Sequence, residues 1–413
     1  MSRLVFVTQW FPPEPAHTPH WIARALRAKG IDVEILTGIP NYPSGVVADG
    51  YSAAERRTEV IEGFTVQRTP LYPNHGSGAS RRMLNYISWA VSAALFGLRR
   101  LGRADVALVY SSPATAALPA MAARRLFGTR YVLMVQDVWP DSVFASGFLT
   151  GRLSRFAERL LGWFVDATYR WAEHIVVIAP GMADLLHERG VPRSKLSVVY
   201  NWVEEPSSIG HHVATRASLG LTDEDFVLMY AGNHGAAQAL DAVVEGIGRL
   251  PEEVRGHLVM VGDGMEKARL QAVADKVASG RVKFLGPQPR DAIAGLMAIA
   301  DAQVVSLAAQ PLFEVTVPSK LQSVMAAGFP VLAAASGDVR RIVEAADCGE
   351  VAVPGDPASV AAAMERLHEA GPATRERMGR DGKEHYETNM SEMVSAGRLA
   401  DVLQSAAKAR RKR

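Results

Sequence analysis

The sequence has little of several features that would assign it to a special class of protein. Its single cysteine, Cys348, excludes an internal disulfide framework and favours a reducing compartment. A formal net charge of +2 over 413 residues does not indicate a nucleic-acid-binding protein. The longest apolar run, residues 83–98, is shorter than the roughly 18–20 residues of a membrane-spanning helix. No signal peptide is expected, because the apolar segment near the N-terminus lacks a small-residue cleavage site.

What the sequence does contain is a regular alternation of strand-length apolar runs with helical patterns. With 48% hydrophobic and 21% charged residues the chain is typical of an ordered globular protein, and its length predicts two domains. The alternation predicts parallel sheets covered by helices, an α/β fold. A helix is expected from an N-cap at Thr18 to about Lys29. The predicted strands lie near residues 4–9, 33–37, 60–68, 106–111, 131–136, 175–179, 197–200, 227–230, 258–261, 282–285, 303–307, 331–334 and 351–353.

One segment, VPSKLQSVMAAGFPV at residues 317–331, has the pattern of a loop that opens a helix and leads into a new strand. A helix N-terminus presents free backbone N–H groups and the positive end of the helix dipole. Lys320 adds a full positive charge at this point. The segment therefore predicts a binding site for the diphosphate of a nucleotide.

Six further motifs place this segment in a wider pattern. They are TQWFPPE at 8–14, TGIPNYPSG at 37–45, QDVWPDS at 136–142, YAGN at 230–233, VGDG at 261–264 and FLG at 284–286. Together these motifs resemble glycosyltransferase family 4, in the WbuB-like branch of surface-polysaccharide glycosyltransferases. The resemblance covers nearly the whole chain. It implies a GT-B fold, in which two Rossmann-like, doubly wound α/β domains face each other across a cleft.

The resemblance also implies how the chain divides. The N-terminal, acceptor-side domain is expected at residues 1–204 and the C-terminal, nucleotide-sugar-binding domain at 225–389. The polar stretch 205–224 is the expected linker, because it contains proline, glycine and serine and lacks the apolar pattern of its neighbours. A last helix, at about 390–413, is expected to pack back on the first domain, as the GT-B fold implies.

Donor-binding residues are implied at the carboxyl ends of strands in the second half. The backbone near Leu285 is expected to hold the base. The resemblance also implies that the helix dipole and Lys320 replace a metal ion, so that no metal and no other cofactor is expected beside the UDP-sugar substrate. Lys320 is the expected main charged partner of the diphosphate, since no other cation in this half sits at a matched strand end. The implied donor-binding residues are Gly232, Asn233, Gly262, Leu285, Arg290, Pro318, Ser319, Lys320, Gln322 and Ser323.

The sequence departs from the family pattern at two places. The second glutamate of the family's Glu-x7-Glu pair sits five residues before the glycine that corresponds to Gly328, and this chain has Ser323 there. A Glu-x7-Gln pair, Glu314 and Gln322, is present instead, in a register shifted by one residue. Glu314 is a candidate catalytic residue. Serine or glutamine can hydrogen-bond a ribose, but without the strength of a carboxylate. The loop after the first strand of this half also lacks the family's basic pair, and its His234 is interpreted as a solvated loop histidine, with a role at the phosphates as the alternative.

In the first half, the strand-ending segment QDVWPDS supplies the candidate catalytic residue Asp137. Pro140 interrupts a regular helix here, which predicts a turn that holds the carboxylates of Asp137 and Asp141 near Trp139. Trp139 either stacks on a sugar or closes the core, and Asp141 either contacts the acceptor or caps the next turn. Further acceptor-side candidates, each with a structural loop role as the alternative, are His17, Asn41 and Tyr42.

Two arginine-rich segments are candidates for contact with a membrane surface. The apolar run 83–98 is bracketed by arginine pairs, and residues 152–171 combine arginines with leucine and aromatic residues. Each segment is either a helix that covers a sheet face or a helix that lies in the interface of an anionic membrane. The second interpretation predicts a cytoplasmic protein that is peripheral on the inner face of the cell membrane.

The function implied by the resemblance is transfer of a hexose or N-acetylhexosamine from a UDP-sugar to a lipid-linked surface glycan, with retention of configuration. No nucleic-acid partner is expected. One alternative is a non-hydrolysing UDP-sugar epimerase of the same fold. The acceptor-like segments at 37–45 and 136–142 disfavour this alternative. Another is a non-catalytic nucleotide-sugar-binding scaffold subunit, which the missing second glutamate motivates.

Overall fold

The structure is a computed structural model that describes residues 3–74, 76, 79–141, 152–203 and 215–411. The chain forms two compact units, Met1–Asn201 with Glu392–Arg413, and Trp202–Ser391. Part of the expected linker, residues 205–214, and Ser142 of the QDVWPDS segment lie outside the described residues.

The first unit is built on an eight-stranded sheet with the strand order β3-β4-β2-β1-β5-β6-β7-β8. All neighbouring strands are parallel except β3 and β4. The central strands β5 and β6 are buried along their whole length, as expected for a parallel sheet covered on both faces. The strands are β1 (Arg3–Val7), β2 (Asp32–Gly38), β3 (Arg57–Ile61), β4 (Phe64–Thr69), β5 (Val106–Ser111), β6 (Tyr131–Val135), β7 (His174–Val177) and β8 (Leu196–Val198).

The single strand that the sequence predicts over residues 60–68 is wrong. The structure has an antiparallel hairpin there, which turns at Glu62 and Gly63 with φ values of 48° and 80°. Apolar residues stand on both sides of the turn, Val60 and Ile61 before it and Phe64 and Val66 after it, so the segment resembles one strand. A glycine that can adopt a left-handed conformation was the available signal.

Six helices of the N-terminal part of the chain accompany the described strands of this unit, and the last helix of the chain joins them. The first begins one residue before the expected N-cap Thr18, and its actual N-cap, Ala16, makes no side-chain hydrogen bond. The expected capping by Thr18 is therefore wrong. The helices are α1 (His17–Ala28), α2 (Ala79–Phe96), α3 (Leu98–Arg103), α4 (Leu118–Phe127), α5 (Arg152–Trp171) and α6 (Pro180–Glu188).

The second unit contains a six-stranded, all-parallel sheet in the order β11-β10-β9-β12-β13-β14. Its strands are β9 (Phe226–Ala231), β10 (Gly256–Val261), β11 (Val282–Leu285), β12 (Ala302–Ser306), β13 (Val331–Ala334) and β14 (Gly349–Ala352). Its helices are α7 (Asp241–Arg249), α8 (Lys267–Val277), α9 (Arg290–Met297), α10 (Pro311–Glu314), α11 (Ser319–Ala327), α12 (Gly337–Ala345), α13 (Pro357–Glu369) and α14 (Gly371–Asn389).

The register of the second sheet brings its motifs to one edge. Ala231 at the end of β9 pairs with Val261 at the end of β10, and Val261 pairs with Leu285 at the end of β11. The loops that follow these strands therefore meet at the carboxyl edge, where ligands bind in open parallel sheets.

The chain ends in α15 (Glu392–Arg411), which belongs to the first unit and packs against α1 and the strands β5, β6 and β7. Among the described residues, no helix combines the length and hydropathy needed to cross a membrane.

Candidate active site

The loop that precedes α11 leaves the first backbone N–H groups of that helix open. Pro318 occupies the N-cap position in an extended conformation, and no side chain caps the helix within the described part of the chain. The helix ends at Gly328, whose φ of 76° suits a glycine. Open N–H groups together with the helix dipole form a binding site for an anion.

The amino group of Lys320 is buried beside this helix start and has no hydrogen-bond acceptor among the described residues. Its Nζ lies 3.0 Å from the centroid of the Tyr230 ring. The ring face favours a cation and burial favours the neutral amine; burial dominates and holds the pKa of Lys320 well below its ordinary value. An anion bound here would supply acceptors for the ammonium and restore its charge.

Gly232 makes room for this amino group. A Cβ at Gly232 would lie 2.9 Å from Nζ of Lys320, and the φ of 148° is one that other residues rarely adopt. The loops after β9 and β10 are packed backbone to backbone, because a Cβ at Gly262 would overlap the carbonyl oxygen of Gly232. The N–H of His234 donates to the carbonyl of Asp263 at 2.8 Å and joins the two loops. Close packing therefore explains both glycines before any ligand is considered.

The interpretation of His234 as a solvated histidine is wrong. Its side chain is 0% exposed and packs against the rings of Tyr230 and Phe284. Burial, with the positive charge of Lys267, lowers the pKa of His234. Both effects favour the neutral imidazole, which packs against the two aromatic rings.

A second cation, Lys267, lies at this edge of the sheet and was missed by the sequence analysis. The expectation that no other cation of this half lies at a strand end is therefore wrong. Nζ of Lys267 lies 3.4 Å from the carbonyl oxygen of Gly262 and 3.7 Å from the carboxylate of Asp263. Lys267 is the first residue of α8. Its position at the start of the helix that follows the VGDG turn was the available signal.

The end of β9 and the loop after it, strand β12 and helices α9 and α11 line a cavity of about 380 Å³ within the second unit, a volume in the ~300–1,000 Å³ range of small-molecule sites. Apolar side chains of α9 and β12, including Ile293, Met297 and Val305, form much of its wall. Gly262, Leu285 and Gln322 do not line it, and the side chain of Arg290 lies outside the described residues. The expected donor-binding residues that do line it are Gly232, Asn233, Pro318, Ser319, Lys320 and Ser323.

The shifted pair of Glu314 and Gln322 does not form a common ribose site. Gln322 is only 2% exposed, so its side chain is directed into the interior of the unit, whereas Glu314 is exposed at the end of the short helix α10. Ser323 lines the cavity, but its hydroxyl donates to the carbonyl of Ser319 at 2.9 Å. The carbonyl of Leu285, expected near the base, accepts the N–H of Gly262 at 3.1 Å.

In the first unit, Asp137 lies at the carboxyl edge of the sheet. The parallel neighbours β5 and β6 end together, with Ser111 opposite Val135, so the residues that follow them meet. The hydroxyl of Ser112 donates to Oδ2 of Asp137 at 2.8 Å. The carboxylate is solvent-accessible, yet desolvation by the surrounding protein raises the pKa of Asp137, and the Ser112 hydrogen bond only partly opposes this. A carboxylate with a raised pKa is a stronger base than an ordinary aspartate.

Four rings form an aromatic cluster near this carboxylate: Trp10, Tyr42, Tyr86 and Trp139. Successive ring centroids are 5.1 Å apart for Trp10 and Tyr42, 6.3 Å for Trp10 and Tyr86, and 6.2 Å for Tyr86 and Trp139. Burial raises the pKa of Tyr86; the charge of Arg82 opposes this, and the nearby carboxylate of Asp137 adds to it. Trp139 is only 6% exposed and closes the core, whereas Tyr42 is 37% exposed. Tyr42 is therefore the ring of this cluster that a ligand reaches most directly.

The side chains of the remaining acceptor-side candidates each contact another group of the protein. Asn41 is buried, and its amide donates to the carbonyl of Ile39 at 2.9 Å. Asp141 forms two hydrogen bonds of 2.8 Å with Arg189; burial alone would raise the pKa of Asp141, but these bonds and the arginine charge lower it. His17 is exposed and stacks on Trp21 of its own helix. The turn that Asp141 was expected to cap lies outside the described residues.

Two units, each built on a mainly parallel α/β sheet, with an uncapped helix start and a buried lysine in the second, are typical of the GT-B class of glycosyltransferases. Residues 15–202 match the family described as Glycosyl transferase 4-like domain, and residues 214–385 match Glycosyl transferases group 1. The chain belongs to glycosyltransferase family 4. This confirms the family and the fold that the motifs indicate, while membership of the WbuB-like branch stays a prediction.

Individual relatives agree with this assignment. WcaI of Escherichia coli (strain K12), a glycosyl transferase assigned to colanic acid biosynthesis, is 29% identical over 313 residues, 73% of this chain and 75% of its own. Sucrose-phosphate synthase from Thermosynechococcus elongatus has a TM-score of 0.70 at 17% identity, covering 99% of this chain and all of its own. Anabaena HepE in complex with UDP-glucose has a TM-score of 0.67 at 16% identity, with coverage of 98% and 100%. These two structures show the fold alone.

Proposed function

We propose that this glycosyltransferase moves a sugar from a UDP-sugar to a lipid-linked glycan during assembly of a surface polysaccharide. The observation that carries the proposal is the amino group of Lys320, buried at an open helix start without an acceptor among the described residues. The relation to WcaI supports the polysaccharide pathway, and the UDP-glucose bound by HepE supports the donor class. Hexose and N-acetylhexosamine donors are both included.

On the donor side, the chemistry is stabilisation of a leaving diphosphate. Negative charge develops on UDP as the glycosidic bond breaks, and an ammonium together with oriented N–H groups in a site that excludes water stabilises that charge. Lys320 and the first N–H groups of α11 supply these groups, and Lys267 adds positive charge at the neighbouring loop. In this proposal the protein groups replace a metal ion, and retention of configuration follows family membership.

On the acceptor side, Asp137 and Tyr42 are the proposed contacts. The carboxylate of Asp137 accepts or partly removes the proton of the attacking hydroxyl, for which its raised pKa is suited. The half-open ring of Tyr42 offers an apolar face to a sugar ring. A scaffold subunit would need neither group.

A membrane surface is the proposed location of the acceptor. One face of α2 is buried, whereas the opposite face is apolar and open to solvent. Helix α5 likewise exposes Leu160, Trp163 and Trp171. Exposed arginines accompany both helices, which is typical of a peripheral contact with anionic lipid. Leu84, Ile87, Val91 and Leu95 of α2 are exposed at the spacing of one helix face, and Phe96 is exposed at the end of the helix.

The test is release of UDP from UDP-glucose and from UDP-N-acetylglucosamine, with and without polyprenyl-diphosphate-linked saccharides. The proposal expects release that depends on a lipid-linked acceptor, together with a lengthened saccharide. Conversion of the UDP-sugar to an epimer without release of UDP would identify an epimerase. Binding of UDP-sugar without either reaction over a panel of acceptors would identify a scaffold subunit. Asp137→Asn is the control for background hydrolysis.

A further inference from the structure

Glu14 is a buried carboxylate that binds backbone N–H groups from two separate loops. It is 5% exposed. Its Oε2 accepts the N–H of Phe11 at 3.1 Å, and its Oε1 accepts the N–H groups of Asn41 and Tyr42, both at 2.9 Å. Phe11 follows β1, whereas Asn41 and Tyr42 follow β2. One side chain therefore connects the loops that follow two neighbouring strands.

Arg68 of β4 makes the complementary set of contacts. It donates to the carbonyls of Pro12 in the first loop and of Gly38 at the start of the second. Its guanidinium also pairs with Glu59 of β3. The carboxylate thus collects N–H groups and the guanidinium collects carbonyls from the same two loops. Loop carbonyls and N–H groups buried at this depth would be costly without such partners.

Glu14 and Arg68, together with the loop N–H and carbonyl groups that they bind, form a clamp. The segment that this clamp holds contains two acceptor-side candidates, Asn41 and Tyr42. The side chain of Asn41 accepts from Asn85 of α2 at 3.1 Å, and Asn85 accepts from Gln9 at 2.6 Å. The ring of Tyr42 packs on Trp10. The two N–H groups that Glu14 holds therefore fix the backbone of the residues through which the second loop contacts the aromatic cluster.

The charge state of Glu14 decides whether the clamp is complete. An ionised carboxylate offers acceptor sites on both oxygens, whereas a protonated one turns one oxygen into a donor that faces an N–H group. Burial raises the pKa of Glu14 to about 7, although the three N–H groups and the charge of Arg68 oppose this. Other titratable groups nearby are Glu59, which pairs with Arg68, and His20, whose ring contacts Phe11.

We propose that Glu14 is a positioning residue for acceptor binding, whose ionised carboxylate holds the segment of Asn41 and Tyr42 in place and whose protonation releases it. The part that concerns the acceptor rests on the proposed function; the coupling between the carboxylate and the loop does not. Affinity for the acceptor is then expected to fall as the pH falls through about 7, because the ionised form is the one that binds all three N–H groups.

The kinetic experiment compares wild type with Glu14→Gln at several pH values between 6 and 8.5. At pH 8 the variant is expected to raise KM for the acceptor roughly 10- to 100-fold, the loss of hydrogen bonds to a charged group, with UDP affinity unchanged. Its acceptor KM should no longer depend on pH, whereas that of wild type should rise toward low pH. Glu173→Gln is the matched control, since Glu173 pairs with Arg124 and Arg130 and precedes β7 at the amino edge of the same sheet. Equal pH profiles for wild type and Glu14→Gln would overturn the proposal.

Hydrogen exchange of the wild-type protein tests the clamp even where no acceptor has been identified or the variant does not fold. Peptides that cover residues 39–45 are expected to lose protection between pH 8 and pH 6, after correction for the intrinsic exchange rate. Peptides from β5 serve as the internal reference and should not change. If the protection of residues 39–45 is the same at both pH values, the clamp does not respond to the charge of Glu14 and the inference fails. Loss of protection without any transfer activity would leave the clamp intact and count against the proposed function.

Discussion

The ammonium-forming Nζ of Lys320 lies over the face of the Tyr230 ring, 3.0 Å from its centroid, at the start of the uncapped helix α11. A lysine held in this way has lost water as a partner and has gained only the ring. The arrangement favours binding of an anion, because each oxygen of a bound diphosphate offers the acceptor that the amino group lacks in the described structure.

Replacement of Lys320 by alanine is expected to weaken UDP binding by about 1.5–3 kcal/mol, one charge-assisted hydrogen bond. The physical reason is that the helix N–H groups remain while the charged partner is removed. Calorimetry of the variant with UDP measures the effect. Lys276→Ala, in the last turn of α8, removes an equal charge as a control and should leave the affinity unchanged. An unaltered UDP affinity in Lys320→Ala would remove this site from the donor assignment.

Binding of UDP is expected to take up a proton. In the free protein the pKa of Lys320 is lowered by burial, and the bound diphosphate raises it again. At a pH between the pKa of Lys320 in the free protein and its pKa in the complex, the lysine is neutral before binding and charged after it. UDP affinity therefore falls as the pH rises through this range. At a pH below the pKa of the free protein, binding takes up no proton. Calorimetry at pH 8.5 in buffers of different ionisation enthalpy measures the proton, because the UDP phosphate, with a second pKa of about 6, is then fully ionised. Uptake that persists in Lys320→Ala would assign the proton to another group.

Replacement of Asp137 by asparagine is expected to lower turnover roughly 100- to 10,000-fold while UDP affinity stays intact. The change keeps the size of the side chain and the contact with Ser112, and removes the base. Since the pKa of Asp137 is raised, wild-type turnover should also decline on the acid side, and the variant should lack this decline. Initial rates with saturating donor and acceptor measure both.

Asp141→Asn is the matched control for that experiment. Its pair with Arg189 is partly exposed, and such a pair contributes about 0–1 kcal/mol to stability, so only a small effect on rate is expected. Wild-type turnover in Asp137→Asn would mean that this aspartate is structural.

Membrane association is expected to be peripheral and sensitive to salt. The protein should float with vesicles that contain anionic lipid at low salt and remain at the bottom at high salt, since screening weakens the arginine contacts. Leu95→Glu and Trp163→Glu should each reduce flotation, because they place a negative charge on the exposed faces of α2 and α5. Met265→Glu, at an exposed position of the second unit, is the control. Absence of flotation with anionic vesicles at low salt would contradict the proposed surface.

The candidate site could be predicted only in part, and particular residues show why. Lys320 and Asp137 are found at strand and helix ends because strand runs and a proline turn are local patterns that the sequence displays directly. His234 was misread because a histidine in a polar loop gives no sign of whether the next loop covers it. The place of Lys267 after the VGDG turn was a signal, but its proximity to Gly262 depends on how the turn after β10 directs α8.

The sequence by itself determined the class of this protein: periodicity predicts two α/β units, and the short motifs resemble glycosyltransferase family 4, a resemblance that implies the GT-B fold. The tertiary structure decided which of the singled-out side chains are open and which are buried. It directs Gln322 and Trp139 inward, pairs Asp141 with Arg189, and connects Glu14 with Asn41. The physical reason is that burial and ionisation depend on neighbours distant along the chain, 48 residues apart for Asp141 and Arg189 and 27 for Glu14 and Asn41, whose approach no local pattern records.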